Sequence, residues 1–443
     1  MKIPQRPPTA SISGLLSDPS RLTRAIQAVQ GPTVDARYYH WDELRHRKPP
    51  EGFSVEEWWA GLKLMRLPQR RITPLEDVQS RPFWFTLVDP IPEKLHRIDT
   101  GTGAMFPAEE RQPVNDHERD RYIVRSLMEE AITSSQIEGA ATTRVVAKQM
   151  LRSGRLPRDT SERMILNNYL AMKQILARER QAELTPEFVM HLHRTLTQDT
   201  LEDPTAVGRL RRPEERVVVE DAYGQVLHEP PQAQLLESRL KQMCRFANGQ
   251  SPSFFVHPVL RAIILHFWLA YDHPFVDGNG RCARALFYWS MLRNGLWLME
   301  FISISDVIKR SQTQYGRAFL HTETDENDLT YFILYHLKII EQAVDELHVY
   351  IAKKQQQTHA ISRLIRDSVN LNHRQRALLS HALRHPDAEY TIESHQTSHQ
   401  IVYQTARTDL HDLAGRGLLV DKKVGRTYVF TPPPDLQQRL SQT

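Results

Sequence analysis

Twelve consecutive residues concentrate the reactive side chains of this chain: His273-Pro274-Phe275-Val276-Asp277-Gly278-Asn279-Gly280-Arg281-Cys282-Ala283-Arg284. Their types suit phosphate chemistry. Gly278, Asn279 and Gly280 permit backbone conformations that turn successive amides toward one point. Such a nest at the start of a helix binds oxyanions through N–H groups and the positive end of the dipole. Arg281 and Arg284, three positions apart, share a face of the first turn and can both reach a polyphosphate. Asp277 is a hard oxygen ligand beside the nest, as Mg²⁺ shared with phosphate oxygens requires. His273 ends the preceding helix and can take a proton near neutral pH. Pro274 stiffens the loop entrance, and Phe275 is expected to anchor it in the core. Each feature has a plainer reading alone: a structural or solvated histidine, a solvated arginine face, a simple turn. In this order, between two apolar helices, those readings weaken, because a glycine-rich phosphate loop is judged by its context.

The elements that must position this loop are legible to different degrees. Val256, Val259, Leu260, Ile263, Ile264, Phe267, Trp268 and Tyr271 repeat at three and four residues and predict a helix central to its domain. A second helix is expected over about 281–293, stopped by Asn294-Gly295. Ile123, Val124, Leu127, Met128, Ala131 and Ile132 mark another buried helical face, and Thr185-Pro186 opens a further helix. Val217–Val219 and Gln225–Leu227, either side of Tyr223-Gly224, predict a small β-hairpin. Residues 1–110 are rich in Pro, Arg and Trp. One helix is signalled there by a Ser54/Glu57 capping box ahead of Trp58, Leu62 and Met65, and Arg81–Val88 reads as a strand or an extended arm. After a polar stretch at Lys353–Gln357, taken as a linker, two helices near 372–385 and 401–417 precede Leu418–Lys422, a turn at Gly425-Arg426 and Thr427–Phe430. Helix, helix and hairpin suggest a winged helix. The expected division is an accessory region 1–110, a helical domain 111–350 and a winged-helix-like domain 351–443, in a mainly α chain.

Composition bounds the function. The 443 residues are 40% hydrophobic and 25% charged, as in ordinary globular proteins. Lys+Arg 57 against Asp+Glu 53 gives +4, too mild to identify a nucleic-acid binder. Cys244 and Cys282 alone make no disulfide framework, which points to a reducing compartment. The N-terminus lacks an apolar signal region and the most apolar run contains His266, so a cytoplasmic location without membrane contact is expected.

HPFVDGNGRCAR resembles the Fic signature, His-Pro-Phe-x-(Asp/Glu)-Gly-Asn-Gly-Arg-x-x-Arg, with every fixed position present. The resemblance extends over roughly 111–350, where Gly208-Arg209 and Pro230-Pro231 bracket the hairpin as in relatives. It implies a helical core with a β-hairpin flap, and a protein adenylyltransferase that moves AMP from Mg-ATP to a Ser, Thr or Tyr hydroxyl. By position, His273 would be the general base, Asp277 would hold Mg²⁺, and Gly278, Asn279 and Gly280 would cradle the anions. Arg281 would stabilise the departing pyrophosphate, and Arg284 would hold the γ-phosphate. Relatives that phosphorylate with reversed nucleotide differ in the Gly-Asn-Gly portion, which this chain keeps.

Ser134-Ser135-Gln136-Ile137-Glu138-Gly139 resembles the family's inhibitory motif, (Ser/Thr)-x-x-x-Glu-(Gly/Asn), at the end of a helix that Gly139 would cap. The resemblance implies that Glu138 pairs with Arg284 and keeps ATP unproductive. Without it, Glu138 reads as an exposed helix-end carboxylate. Val217, Val218 and Val219 are expected to dock a target by strand addition, or else only to close the fold. The expected partners are ATP and a target protein, with the chain's own modification, homo-oligomers, and DNA at the C-terminal domain left open. In that domain Asp409, Asp412 and Asp421 interleave with Arg407, Arg416, Lys422, Lys423 and Arg426 and dilute the basic patch. The alternatives to AMP transfer are an AMP-ester hydrolase and a DNA-binding regulator whose core senses nucleotide.

Overall fold

A computed structural model describes residues 2–8, 18–104, 116–179, 182–221, 223–367, 371–385, 387–424 and 427–442. The chain divides into two compact units, Met1–Asp345 and Glu346–Thr443.

The first unit opens with α1 (Pro19–Gln27), α2 (Trp41–Leu44) and α3 (Val55–Arg66). The Ser54/Glu57 capping box is formed at the start of α3. The hairpin β1 (Arg71–Glu76) and β2 (Pro82–Phe85) follows, so the middle of the 81–88 segment is a strand. Next come α4 (Pro90–Ala104), α5 (Asp116–Ile137), α6 (Arg144–Ser153), α7 (Thr160–Gln174) and α8 (Pro186–Thr197), the last opened by Thr185 accepting from the Phe188 amide. A short antiparallel pair, β3 (Val219–Glu220) and β4 (Val226–His228), precedes α9 (Leu236–Ala247), α10 (Pro258–Asp272), α11 (Asn279–Arg293), α12 (Ile304–Arg310) and α13 (Gln312–Thr324). Helix α14 spans Thr330–Asp367.

Helices α10 and α11 form the centre of the first unit. Nearly every side chain on both is buried, including Ile263, Ile264, Phe267, Trp268, Phe287 and Trp289. A helix buried all round is a core helix, and each large apolar side chain so buried contributes roughly 1.5–3 kcal/mol. The expected face of α5 is buried at Leu127, Met128, Ala131 and Ile132, but Val124 is exposed. The described part of the N-terminal region joins the rest of this unit through buried polar bonds. Lys63 reaches Asp325 at 2.8 Å, Tyr38 donates to Asp328 at 2.5 Å, and Trp84 exchanges backbone bonds with Asn327 and Leu329.

The second unit contains α15 (His373–Arg384), β5 (Tyr390–Thr391), α16 (Ile392–His399), α17 (Tyr403–Gly415), β6 (Val420–Val424), β7 (Thr427–Thr431) and α18 (Leu436–Gln442). The strands form an antiparallel sheet in the order β5-β7-β6 around a core that includes Leu379, Leu410 and Phe430. Two features differ from the sequence expectation. The polar stretch 392–399 is a helix, capped by Thr391 and Ser394, and its low apolar content hides it. Lys353–Gln357 lies within α14, since Lys and Gln are good helix formers and nothing there breaks the helix. The Gly425-Arg426 turn lies outside the described residues.

Candidate active site

His273 occupies the first position beyond α10 in the left-handed conformation, φ 44°. A non-glycine residue held there costs on the order of 1 kcal/mol, and its surroundings maintain it. Its amide donates to Leu269 O at 3.0 Å, and its ring Nδ1 lies 3.1 Å from Ala270 O. A carbonyl can only accept, so Nδ1 carries the proton and Nε2 keeps its lone pair. Burial lowers the pKa of this ring and favours the neutral form. Arg211 braces the same turn: its Nε donates to His273 O at 3.0 Å and its amide to Pro274 O at 2.9 Å. The guanidinium also donates to Pro231 O, so one arginine ties the loop to the segment after the flap. Nothing in local spacing marks Arg211, because its partners are backbone carbonyls distant in sequence.

The loop itself is shaped from within. Asn279 is buried, accepting from the Phe275 amide at 3.0 Å and donating to Phe275 O at 2.9 Å. Its side chain therefore closes the turn and does not face the pocket. Gly278 has φ 82°, and a Cβ there would stand 2.7 Å from Thr197 Cγ2. Below the loop, His193 of α8 stacks on Phe275 with ring centres 3.8 Å apart. His193 Nε2 lies 2.9 Å from Asp277 O and its Nδ1 accepts from the Gly208 amide at 3.0 Å. These partners fix its tautomer, and burial pushes its pKa down to about 4. Sequence reading misses His193; its place on α8, one turn before the helix end, carries no local signature.

The two arginines have different surroundings although both are buried. Arg281 donates to Leu196 O at 3.0 Å and lies 3.4 Å from Asp277 Oδ2, while its Nε has no partner among the described residues. Asp277 is more exposed, and its Oδ1 accepts from the Gly278 amide at 2.6 Å. Arg284 donates to Ser134 Oγ at 2.8 Å, Ser134 O at 3.0 Å and Glu138 Oε1 at 2.7 Å. Helix α5 ends at Ile137, and Gly139 follows with φ 96°. Gly280 explains how close the two elements come: a Cβ on it would lie 2.1 Å from Glu138 Oε1. The Glu138 carboxylate thus rests on the first turn of α11, where exposed amides and the helix dipole favour an anion.

These groups face a pocket of ≈ 220 Å³ lined by Glu138, His273, Gly280 and Arg284, by Tyr315 and Phe319 of α13, and by Val219, Leu227 and His228 of the flap. The flap strands are shorter than their valine content suggests. Val219 pairs with His228 in the register, while Val217 and Val218 precede β3. Among the described residues no group of three or more His, Cys, Asp and Glu is arranged to hold a metal, and no helix is long and apolar enough to cross a membrane.

Residues 183–291 match the model of the Fic/DOC family. A protein adenylyltransferase Fic of Nematostella vectensis is 24% identical over 258 residues, 57% of this chain and 55% of that protein. One from Drosophila ananassae is 32% identical over 157 residues, 35% of this chain and 29% of that protein. The chain spans about half, or less, of the length of these curated relatives. The fold is also that of a crystal structure of a Fic family protein from Desulfovibrio desulfuricans, with TM-score 0.55, 17% identity, 79% of this chain and 97% of that one. His193, the His273 loop and both arginines all lie inside residues 183–291, the segment that matches the Fic/DOC family.

Proposed function

We propose that this protein transfers AMP from Mg-ATP to a hydroxyl group of a protein, and that Glu138 restrains the reaction in cis. The observation that carries the reading is His273, a neutral imidazole with Nδ1 engaged and Nε2 available, in the pocket that also holds Gly280 and Arg284. A neutral Nε2 can remove the proton from an attacking hydroxyl. The amides of the first turn of α11 and the Arg281 guanidinium stabilise negative charge gathering on the phosphates, and Arg284 orients the γ-phosphate. The hydroxyl oxygen bonds to the α-phosphorus, the bond to the β-phosphate oxygen breaks, and pyrophosphate leaves. Asp277 fits Mg²⁺, since one partly exposed carboxylate suits an ion held mainly by phosphate oxygens. The ion supplies charge neutralisation when bound. The names of the Nematostella and Drosophila relatives agree with this chemistry. The flap edge at Val217, Val218 and Val219 offers backbone groups to which a target segment can add as a strand.

Transfer of label from α-phosphate-labelled ATP to the chain itself or to added protein tests the reading, comparing wild type, Glu138→Gly and His273→Ala. Label that rises in the first variant and disappears in the second supports it. No α-label in any folded form with Mg²⁺ present overturns self-modification.

A second reading, hydrolysis of AMP esters, is favoured by Glu138 and His273 lining one pocket, where the carboxylate can orient a water. It predicts faster loss of label from pre-modified protein with Glu138 intact. For the second unit we read a winged helix that contacts DNA. Asp409 turns inward to Arg374, Asn372 and His395, so it does not dilute the basic surface, and Lys422 and Lys423 are exposed on β6. Binding of duplex DNA that survives Lys422→Glu/Lys423→Glu unchanged in affinity and salt dependence would count against this contact.

A further inference from the structure

His228 lies on the flap, directly across the register from Val219. Both of its ring nitrogens are engaged, neither by the flap itself. Nε2 lies 2.7 Å from Tyr271 O, at the end of α10, and Nδ1 lies 2.7 Å from Glu323 Oε2 of α13. The ring also packs against Tyr271 with centres 4.6 Å apart. Three consecutive carbonyls at the end of α10 thereby meet histidines: Leu269 O and Ala270 O take the amide and ring of His273, and Tyr271 O takes His228. A carbonyl on one side and a carboxylate on the other suit a ring protonated at both nitrogens. The negative end of the helix dipole adds to this preference.

We propose that His228 is a positioning residue: its doubly bonded ring pins strand β4 to the helix end that carries His273, and so sets where a segment paired to the flap meets that base. This rests on the transfer reading above. The flap strands span only two and three residues, so a pair of charge-assisted bonds from one ring is a substantial attachment. The pin also links the flap to α13, whose Tyr315 and Phe319 wall the pocket.

The pin is pH-dependent. Burial works against the charge on His228, but the Glu323 carboxylate, its hydrogen bond and the Tyr271 carbonyl outweigh it, and the pKa is raised. Other charged or titratable groups nearby are Tyr271, whose phenol burial keeps neutral, Asp272, which favours the imidazolium and is itself paired with Arg239, and His273, whose own protonation the His228 charge disfavours. A raised pKa means that the pin is complete below the ordinary histidine value and is lost as pH rises through the folded-state value.

Hydrogen exchange measured by mass spectrometry on the full chain tests this, comparing wild type, His228→Phe and the milder Glu323→Gln. Flap peptides covering residues 216–230 are expected to exchange about tenfold faster in both variants near neutral pH, with α10 and α11 unchanged. The ratio of variant to wild-type rate should fall toward one as pH rises above the ordinary histidine value and the wild-type ring loses its proton. Equal flap rates in all forms, a ratio independent of pH, or faster exchange spread equally through α10 and α11 would overturn the pin. In the Glu138→Gly background, His228→Phe should also lower transfer of α-label. Absence of α-label from every form defeats the transfer reading but leaves the exchange result to decide the pin.

Discussion

Glu138 Oε1 lies 2.7 Å from the Arg284 guanidinium and directly above Gly280, so one carboxylate bonds an arginine and covers the start of the helix that bears it. Arg284 is further held by Ser134 through both its hydroxyl and its carbonyl. An anion is thus already seated where the nest and dipole of α11 attract one. On the proposed reading, a polyphosphate reaching Arg284 would have to displace it.

Replacing Glu138 by Gly should therefore raise label transfer from ATP. Hydrogen bonds to charged groups are worth roughly 1.5–3 kcal/mol, so the gain is expected to be about ten- to a hundred-fold. Glu138→Gln, which keeps the shape and loses the charge, should give an intermediate gain. Equal rates for all three forms would remove Glu138 from control of the reaction.

Gly280 offers a test that needs no activity. A Cβ at this position meets the Glu138 carboxylate at 2.1 Å, so Gly280→Ala should destabilise the protein by roughly 1–3 kcal/mol through overpacking. Glu138→Gly removes the obstacle, and the double variant should recover most of the loss. Thermal unfolding of the four forms reads this coupling directly. Strict additivity would mean that the carboxylate does not occupy this position in solution.

Much of this site can be read from the sequence because its chemistry sits in one contiguous segment. Gly278, Gly280, His273 and Arg284 announce a phosphate loop by type and order, and the apolar helices on either side announce its support. What escapes reading is the bracing around it. Arg211, His193 and His228 act through backbone carbonyls and amides of Pro274, Asp277, Gly208 and Tyr271, and such partners leave no trace in residue type. Asn279 reads, through its backbone, as part of an anion nest by its place in the loop. The bond to Phe275 shows its side chain closing the turn, which only the folded backbone reveals. In the second unit the helix over 392–399 goes unread because only Ile392 of its apolar residues is buried, and a single apolar contact gives no periodicity.

His193 should make stability fall in acid. Its folded pKa is about 4, below the ordinary value of 6.5, so the unfolded chain binds the extra proton first. The stabilisation is present above the ordinary histidine value and is lost as pH drops toward 4, by about 2 kcal/mol at about pH 5. Denaturant unfolding at neutral and acid pH measures the slope. His193→Phe can retain the stacking on Phe275 but has no proton to gain, so its loss between those pH values should be smaller by that amount. An unchanged slope would mean that other groups carry the acid sensitivity.

Asp277 separates metal binding from folding. Its side chain is 57% exposed, and its strongest bond is to the adjacent Gly278 amide. Asp277→Asn should leave thermal stability nearly unchanged, because a surface carboxylate near one arginine contributes little. The same substitution removes a hard anionic ligand beside the nest. Binding of Mg-ATP, measured by calorimetry in the Glu138→Gly background, is expected to weaken by about tenfold or more at low Mg²⁺, with partial recovery as Mg²⁺ is raised. Chelation of Mg²⁺ should weaken ATP binding where Asp277 is intact and leave the Asp277→Asn variant little changed. Identical Mg²⁺ dependence in both would place the metal on ligands other than Asp277.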